Sequence, residues 1–161
     1  MSEYTYTKDK LTSSGGSSVM MDWERPIMKK VAELVTENKG DVLNIGFGLG
    51  IVDGYINALN PKSHTIIECH PDVQRKMVLD GWLKKPHVRC IFSKWQDVVK
   101  HLPKFDGIYW DTWDETPGDF FKEVPNILRS DGIFTFFNNP RNELDGEKKI
   151  MHPENWNILS P

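Results

Sequence analysis

The sequence has little cysteine: Cys69 and Cys90 are the only two in 161 residues. They lie far apart and form no C-x-x-C motif, which argues against a disulfide framework and against a paired-thiol redox centre. The group formed by Cys69, His70 and Asp72 lacks the spacing of zinc ligands, so no metal site is expected. We therefore predict two reduced thiols in a cytoplasmic protein.

Long apolar runs and an excess of positive charge are also missing. No run approaches the roughly 20 apolar residues of a membrane-spanning helix, and the polar residues 1–18 lack the apolar core of a secretory signal. The 20 lysines and arginines are outnumbered by 23 acidic residues, giving a net charge of −3. This balance offers no basic surface for a nucleic acid. We expect neither a membrane nor a nucleic-acid partner.

The sequence does contain a regular alternation of two apolar periodicities, in a length suited to one domain. Short apolar segments predict strands at 41–45, 64–68, 88–92, 105–110 and 132–137. Helical spacing predicts a helix from Pro26 towards Gly40 and further helices at 51–59, 70–81, 95–102 and 119–128. Such alternation is typical of right-handed βαβ units, which build a parallel sheet with helices on both faces.

Composition divides the chain into three parts. The Ser/Gly/Thr-rich residues 1–18 predict a flexible arm, and residues 19–139 carry the folded domain. The pattern stops after Asn138, so residues 140–161 are expected to form an irregular polar tail.

The strongest local motif is LNIGFGLG at 43–50, where Gly46, Gly48 and Gly50 follow the first predicted strand. Glycine suits a tight turn out of a strand, and it lets a ligand approach the backbone without a β-carbon in the way. Glu68 ends the second predicted strand about 20 residues later, where a carboxylate can accept hydrogen bonds from both hydroxyls of a ribose. The alternatives are an ordinary turn and a solvated strand-end glutamate.

The choice of nucleoside rests on what this loop lacks. A dinucleotide site prefers G-x-G-x-x-G, whereas Ile51 stands where that pattern has its third glycine. No basic residue lies in the loop to meet a phosphate, so S-adenosylmethionine fits better than NAD or ATP. Trp95 and Gln96, after the third predicted strand, are candidates to flank its adenine. A core position for Trp95 at a helix start is an equal alternative.

Seven blocks of sequence resemble a known family. They are VMMDWERPIM (19–28), LNIGFGLGIVD (43–53), ECHPDV (68–73), GWLKKPHV (81–88), WQDV (95–98), FDGIYWDT (105–112) and VPNIL…GIFTFFNN (124–139). They follow one another as in guanidinoacetate methyltransferases, and they resemble still more closely the related fungal and plant protein arginine δ-N-methyltransferases. The resemblance runs from about Val19 to Asn139. Asn44 of this chain stands where many class I methyltransferases carry an acid ahead of the glycines, and the arginine-type relatives look similar at this position.

This resemblance implies a Rossmann-like class I methyltransferase fold, an α/β architecture whose mostly parallel sheet has the strand order 3-2-1-4-5. It implies S-adenosylmethionine as the cofactor. It also implies a guanidino group on the methyl acceptor, which is either a small molecule or an arginine-containing protein.

Two carboxylates are the candidate catalytic residues, because a protonated guanidino group has to be oriented and has to lose a proton. Asp111 follows the fourth predicted strand, next to the first strand in the expected order, and ligands bind at that edge of the sheet. The resemblance implies that the segment containing Glu24 folds over the same edge of the sheet. We predict that Glu24 and Asp111 clamp the acceptor, with Asp111 as the base. The alternatives are a turn-capping aspartate and a first-turn acid that suits the helix dipole. The predicted cofactor-binding residues are Met20, Gly46, Phe47, Gly48, Gly50, Glu68, Cys69, Trp95, Gln96 and Asp111.

The family's sheet continues beyond the fifth strand with a helix and a β-hairpin, and residues 140–161 show no pattern that would build them. We therefore expect the sheet to lack the usual C-terminal hairpin and to leave the aromatic strand 132–137 at an open edge. That edge predicts a homo-oligomer formed through it, or the tail folded back on it.

Two functions stay open. The first is a guanidino N-methyltransferase, which the retained Glu24 and Asp111 favour. The second is a cofactor-binding module without methyl transfer, acting as a regulator or assembly partner, which the short C-terminus favours. A nicotinamide-dependent oxidoreductase is disfavoured by the glycine spacing.

Overall fold

The structure is a computed structural model that describes residues 4–6, 10–13, 18–21, 25–112, 118–136, 150–151 and 157–159. Side chains are described for Pro26 and for residues 28–112 and 118–136. The predicted catalytic residue Glu24 lies outside the described residues.

The described strands belong to two sheets. A three-stranded antiparallel sheet contains β1 (Tyr4–Tyr6), β2 (Lys10–Ser13) and β3 (Ser18–Met21). A larger sheet contains β4 (Asp41–Ile45), β5 (Ser63–Glu68), β6 (Val88–Phe92), β7 (Phe105–Trp110), β8 (Leu128–Phe136), β9 (Ile150–Met151) and β10 (Asn157–Leu159).

The described helices alternate with the strands of the larger sheet. They are α1 (Arg25–Val35), α2 (Ile51–Ala58), α3 (Pro71–Leu79), α4 (Trp95–Val98), α5 (Gly118–Phe121) and α6 (Val124–Ile127), with 3₁₀ turns at Trp82–Lys84 and Val99–His101. None of the helices in the described ranges is long and apolar enough to cross a membrane.

The larger sheet has the order β6-β5-β4-β7-β8-β10-β9. The strands β4 to β8 pair in parallel, so the predicted order 3-2-1-4-5 and the α/β class are confirmed. In this order β4 lies between β5 and β7, and its last residue, Ile45, is paired with Ile67 of β5 and Trp110 of β7. The carboxyl ends of these three strands therefore meet at one edge of the sheet.

Both faces of the sheet are buried under helices. Along β4, Val42 packs in a cluster with residues of α1, α2 and α3, while Leu43 and Ile45 pack in a second cluster with α4, α5 and α6. This alternation follows from the two-residue period of a strand. The α1 helix lies very close to the sheet, since a β-carbon on Gly107 would lie 1.9 Å from the carbonyl oxygen of Val35.

The predicted helix at 119–128 is two separate turns in the structure. Pro125 lies in the first turn of α6, where its missing N–H is no loss, so a new helix begins there instead of continuing α5. The strand that follows starts at Leu128, four residues before the predicted position. An irregularity in its pairing with β7, between Phe105 and Gly107, separates this early part from the predicted strand.

Strands also occur at the two ends of the chain. Within the predicted arm at 1–18, the backbone of 4–6 and 10–13 forms strands, and 10–13 pairs with β3, which begins at the last residue of that arm. Within the predicted irregular tail, β10 pairs in parallel with β8, placing Ile158 beside Phe134, and β9 pairs antiparallel with β10. An edge strand presents main-chain N–H and C=O groups that need partners, and the pairing with β10 supplies them to β8. The edge of β8 is covered along Ile133–Thr135, as in the expected arrangement with the tail folded back.

Candidate functional site

The candidate site lies at the edge where β4, β5 and β7 end. The glycine loop follows β4, Glu68 is the last residue of β5, and Asp111 follows β7. The main-chain N–H of Gly46 donates to the carbonyl of Ile67 at 2.9 Å, and that of Asp111 donates to Ile45 at 2.9 Å. Open parallel sheets bind ligands at such an edge, where the strand order reverses. The fold thus brings together the loop and two of the acidic residues predicted from sequence, Glu68 and Asp111.

The glycine loop needs glycine at its first position for two reasons. Gly46 has φ +97°, a conformation that other residues rarely adopt, and a β-carbon there would lie 1.9 Å from the main-chain oxygen of Asp111. The loop then passes through Gly48 and Gly50, also at positive φ, and α2 begins directly after Gly50. The bare backbone predicted from the motif is therefore present, in contact with the end of β7.

Glu68 is buried and tied to this loop. Its side chain is 7% exposed, and its two oxygens accept hydrogen bonds from the main-chain N–H groups of Phe47 at 2.8 Å and His70 at 2.9 Å. Burial raises the pKa of Glu68, and these main-chain donors act in the opposite direction. A solvated strand-end glutamate, the alternative interpretation, does not match this geometry.

The ring of Phe47, a predicted cofactor-binding residue, lies in the core. It is 1% exposed and contacts Trp82 edge to face, with the ring centroids 5.2 Å apart. A β-carbon on Gly50 would lie 2.4 Å from the same ring, so the loop folds tightly over it. The main chain of Phe47 is engaged within the loop, since its N–H donates to Glu68 and its carbonyl accepts from the N–H of Gly50 at 2.8 Å. Phe47 therefore supports the loop, and a direct contact with the cofactor stays a prediction.

A buried polar network beneath the loop was not foreseen from the sequence. The Asn44 amide donates to the Gly46 carbonyl at 3.1 Å and to one oxygen of Asp53 at 2.7 Å. The other Asp53 oxygen lies 2.7 Å from Nε2 of His64, and all three side chains are buried. Complete burial raises the pKa of the Asp53 carboxyl, against the hydrogen bonds from His64 and Asn44.

One signal in the sequence could have located this network. His64 pairs with Val42 across β4 and β5, and Asn44 lies two residues further along β4. Residues two apart share a face of a strand, so both side chains point to the face that α2 covers. Asp53 stands in the first turn of that helix. A polar residue in each of three adjacent buried positions was the available clue.

Trp95 and Gln96 lie in different surroundings. The Trp95 side chain is 8% exposed and contacts Phe120 edge to face, with the ring centroids 5.2 Å apart. It packs in the cluster beneath α4, α5 and α6, as in the alternative interpretation of a core tryptophan. Gln96, the next residue, is exposed on α4.

The residues after β5 form a helix start with an accessible thiol. Cys69 is exposed, and Nδ1 of His70 accepts from the main-chain N–H of Asp72 at 3.1 Å, capping α3. The second thiol is more protected, since burial and the nearby charge of Asp53 raise the pKa of Cys90 to about 11. Within the described ranges, no group of three or more His, Cys, Asp or Glu residues is placed to hold a metal ion.

Three predicted site residues remain, namely Asp111, Met20 and Glu24. Asp111 is half-buried at the mouth of the site, with its carbonyl against Gly46. Met20 lies in β3, where its backbone pairs with Leu11. The assignment of Glu24 to the acceptor clamp stays a prediction.

Comparisons with known proteins place the chain in a family. The family model described as guanidinoacetate N-methyltransferase matches residues 1–140. Protein arginine N-methyltransferase 2 of Yarrowia lipolytica is 43% identical over 180 residues, covering 98% of this chain and 37% of that protein. The protein of the same name from Candida glabrata is 45% identical over 146 residues, covering 83% of this chain and 35% of that protein. The chain thus spans little more than a third of the length of these relatives.

A solved structure supports the fold. Spermidine synthase from Thermotoga maritima aligns with a TM-score of 0.66, covering 91% of this chain and 60% of that one, at 14% sequence identity. That similarity concerns the fold alone. Because the family model matches most of the chain and the sheet order agrees, the protein belongs to the guanidinoacetate N-methyltransferase family.

Proposed function

We propose that this chain binds S-adenosylmethionine at its glycine loop and transfers the methyl group to a guanidino nitrogen. The observation that carries the proposal is the position of two acidic residues around one bare turn. Glu68 accepts a hydrogen bond from the loop on the β5 side, and the main-chain oxygen of Asp111 packs against Gly46 on the β7 side.

The site residues fit the nucleoside part of this cofactor. Glu68 accepts hydrogen bonds from the main-chain N–H groups of Phe47 and His70, and those of Gly48 and Cys69 also act to lower its pKa. A carboxylate accepts hydrogen bonds and donates none, so a ribose hydroxyl is a natural partner that would share Glu68 with these main-chain donors. The loop 46–50 contains no lysine or arginine, which suits an uncharged ribose and a sulfonium better than a pyrophosphate.

Asp111 is the residue that we assign to the acceptor. When bound, S-adenosylmethionine supplies an electrophilic methyl group on a sulfonium. Asp111 orients the planar guanidinium through its N–H groups and takes the proton that the attacking nitrogen loses as the N–C bond forms and the S–C bond breaks. Glu24 is proposed as the second arm of the clamp. Positioning and placed negative charge would supply most of the acceleration.

The names of the relatives guide the choice of acceptor. Two of them are called protein arginine N-methyltransferase 2, which supports an arginyl side chain in a protein. The family model is named for guanidinoacetate, which supports a small guanidino compound. Both acceptors present the same group to Asp111, so both belong in the test.

The cellular compartment and the self-association of the chain are considered separately from the reaction. We propose the cytoplasm, because both cysteines are reduced thiols and a reducing compartment keeps them so. The homo-oligomer expected through the edge of β8 is not proposed again, because β10 pairs along that edge, as in the alternative arrangement with the tail folded back.

The test has two stages. Calorimetric titration of the 161-residue chain should give binding of S-adenosylhomocysteine and none of NAD. Mass spectrometry after incubation with S-adenosylmethionine should then find a methylated arginine peptide or methylated guanidinoacetate. Binding of the nucleoside without any product would leave the cofactor-binding module, and binding of NAD alone would refute the proposal.

A further inference from the structure

We propose that Asp53 and His64 are positioning residues for the cofactor, acting through Asn44 on the peptide group that joins Gly46 to Phe47. This inference rests on the proposed function, because it assumes that the glycine loop holds the nucleoside. It concerns a buried network whose described hydrogen bond to the loop is the one from the Asn44 amide to the Gly46 carbonyl.

The key feature is one peptide group held at both polar ends. Its carbonyl, on Gly46, accepts from the Asn44 amide at 3.1 Å. Its N–H, on Phe47, donates to Glu68 at 2.8 Å. Because a peptide group is planar, fixing the oxygen also fixes the direction of the N–H. Asn44 therefore helps to set the orientation of Glu68, the proposed ribose ligand.

The network gives Asn44 a single orientation. Its amide nitrogen faces two acceptors, the Gly46 carbonyl and an Asp53 oxygen at 2.7 Å. These use both N–H bonds of the amide, and the reverse orientation would turn an oxygen towards two oxygens. Asp53 is in turn held by His64 at 2.7 Å. The order of hydrogen bonds runs from His64 to Asp53, Asn44 and the loop.

Burial makes this order hard to replace with water. Asn44, Asp53 and His64 are 0%, 0% and 1% exposed. Polar groups in such surroundings depend on each other for hydrogen bonds, so loss of one member disturbs its neighbours. A substitution at position 53 or 64 should therefore weaken the hydrogen bond that the Gly46 carbonyl accepts from Asn44.

A residue swap separates positioning from simple support of the fold. In N44D, a carboxylate faces both the Asp53 carboxylate and the Gly46 carbonyl, so stability and affinity should both fall. In N44D/D53N, the amide at position 53 donates to the carboxylate at position 44, and its oxygen accepts from His64. This restores the pair but leaves the Gly46 carbonyl without its donor. We expect most of the lost melting temperature to return, while S-adenosylhomocysteine binds about tenfold more weakly than to the wild type.

A second pair keeps the test decisive if N44D does not fold. H64A removes the hydrogen-bond partner of Asp53, and H64Q keeps an amide at a similar reach. Affinity should fall about tenfold in H64A and should be largely rescued in H64Q. G54A, at an exposed glycine of α2 with open space around it, serves as the control and should bind as the wild type does.

The outcomes distinguish the two levels of the argument. If affinity returns together with melting temperature in N44D/D53N, or if H64A and H64Q bind alike, the network only supports the fold and this inference is overturned. If the wild type itself binds no S-adenosylhomocysteine, the proposed function fails and takes this inference with it.

Discussion

The main-chain oxygen of Asp111 lies so close to Gly46 that a β-carbon on this glycine would be only 1.9 Å from it. The loop after β4 and the end of β7 are therefore in direct contact, with no room for a side chain between them. The proposed cofactor loop and the proposed catalytic base thus share one packing constraint. A change that moves either backbone should alter both binding and catalysis.

Gly46→Ala tests this contact. The added methyl group meets the Asp111 carbonyl in a backbone conformation disfavoured for alanine, so we expect a loss of about 2–4 kcal/mol in the free energy of unfolding. Cofactor affinity should fall as well. Urea denaturation and calorimetry measure the two effects.

Gly54→Ala is the matched control for that change. Gly54 lies within α2 with nothing near its missing β-carbon, so alanine should stabilise the helix by roughly 0.5–1 kcal/mol. Equal effects of the two substitutions would show that the loop contact is unimportant.

Glu68→Ala should weaken S-adenosylhomocysteine binding about a hundredfold, since two hydrogen bonds from the ribose and the tether to Phe47 are lost together. Glu33→Ala, at an exposed position of α1, should leave affinity unchanged. Tight binding by the Glu68 variant would remove the basis for placing the ribose at this residue.

The binding of S-adenosylhomocysteine should also depend on pH through Glu68. Burial raises its pKa above the ordinary 4.5, so the carboxylate becomes protonated at a higher pH than an exposed one. Affinity should fall as the pH is lowered, and the fall should begin above 4.5, while Glu68→Gln should reduce that dependence. The sign for stability is opposite: a raised folded-state pKa contributes stability below 4.5 that is lost as the pH rises through the folded value. An identical affinity profile in the Gln variant would contradict the assignment.

Asp111→Asn should separate catalysis from binding. The amide keeps the shape of the side chain and the carbonyl contact with Gly46, but it cannot take a proton. We expect kcat for a guanidino acceptor to fall by about 10²–10⁴ while S-adenosylhomocysteine affinity changes far less. Asp97→Asn, on the exposed face of α4, is the control and should retain full activity. Equal turnover by both variants would exclude Asp111 as the base.

The two thiols should react very differently with an alkylating reagent at pH 7.5. Cys69 is exposed next to Glu68, whereas burial raises the pKa of Cys90 to about 11, leaving little thiolate there. Peptide mass spectrometry should find the label at Cys69, and S-adenosylhomocysteine should slow its attachment. Both cysteines should label after unfolding in urea. Rapid labelling of Cys90 in the folded chain would contradict the structure of β6.

Much of the fold could be predicted because the pattern of apolar residues reports directly on parallel strands. The strands beginning at Asp41, Val88 and Phe105 have their predicted bounds. The least accurate prediction concerned the segment around Pro125, where a proline at the start of a second turn resembles a proline inside one long helix. The strands near the C-terminus were missed because short segments such as Ile150–Met151 carry too few residues to show a period.

Within the candidate site, the sequence by itself determined the chemical groups and the ends of strands at which they stand. Glycine spacing marks a bare turn, and the positions of Glu68 and Asp111 after apolar segments place them at one edge of a parallel sheet. Tertiary structure alone decided how those groups are held. Phe47 and Trp95 turn into the core, Glu68 is buried against the loop, and Asn44, Asp53 and His64 join beneath it. A local pattern records which face a residue occupies, but hydrogen bonds between separate elements depend on how closely those elements pack.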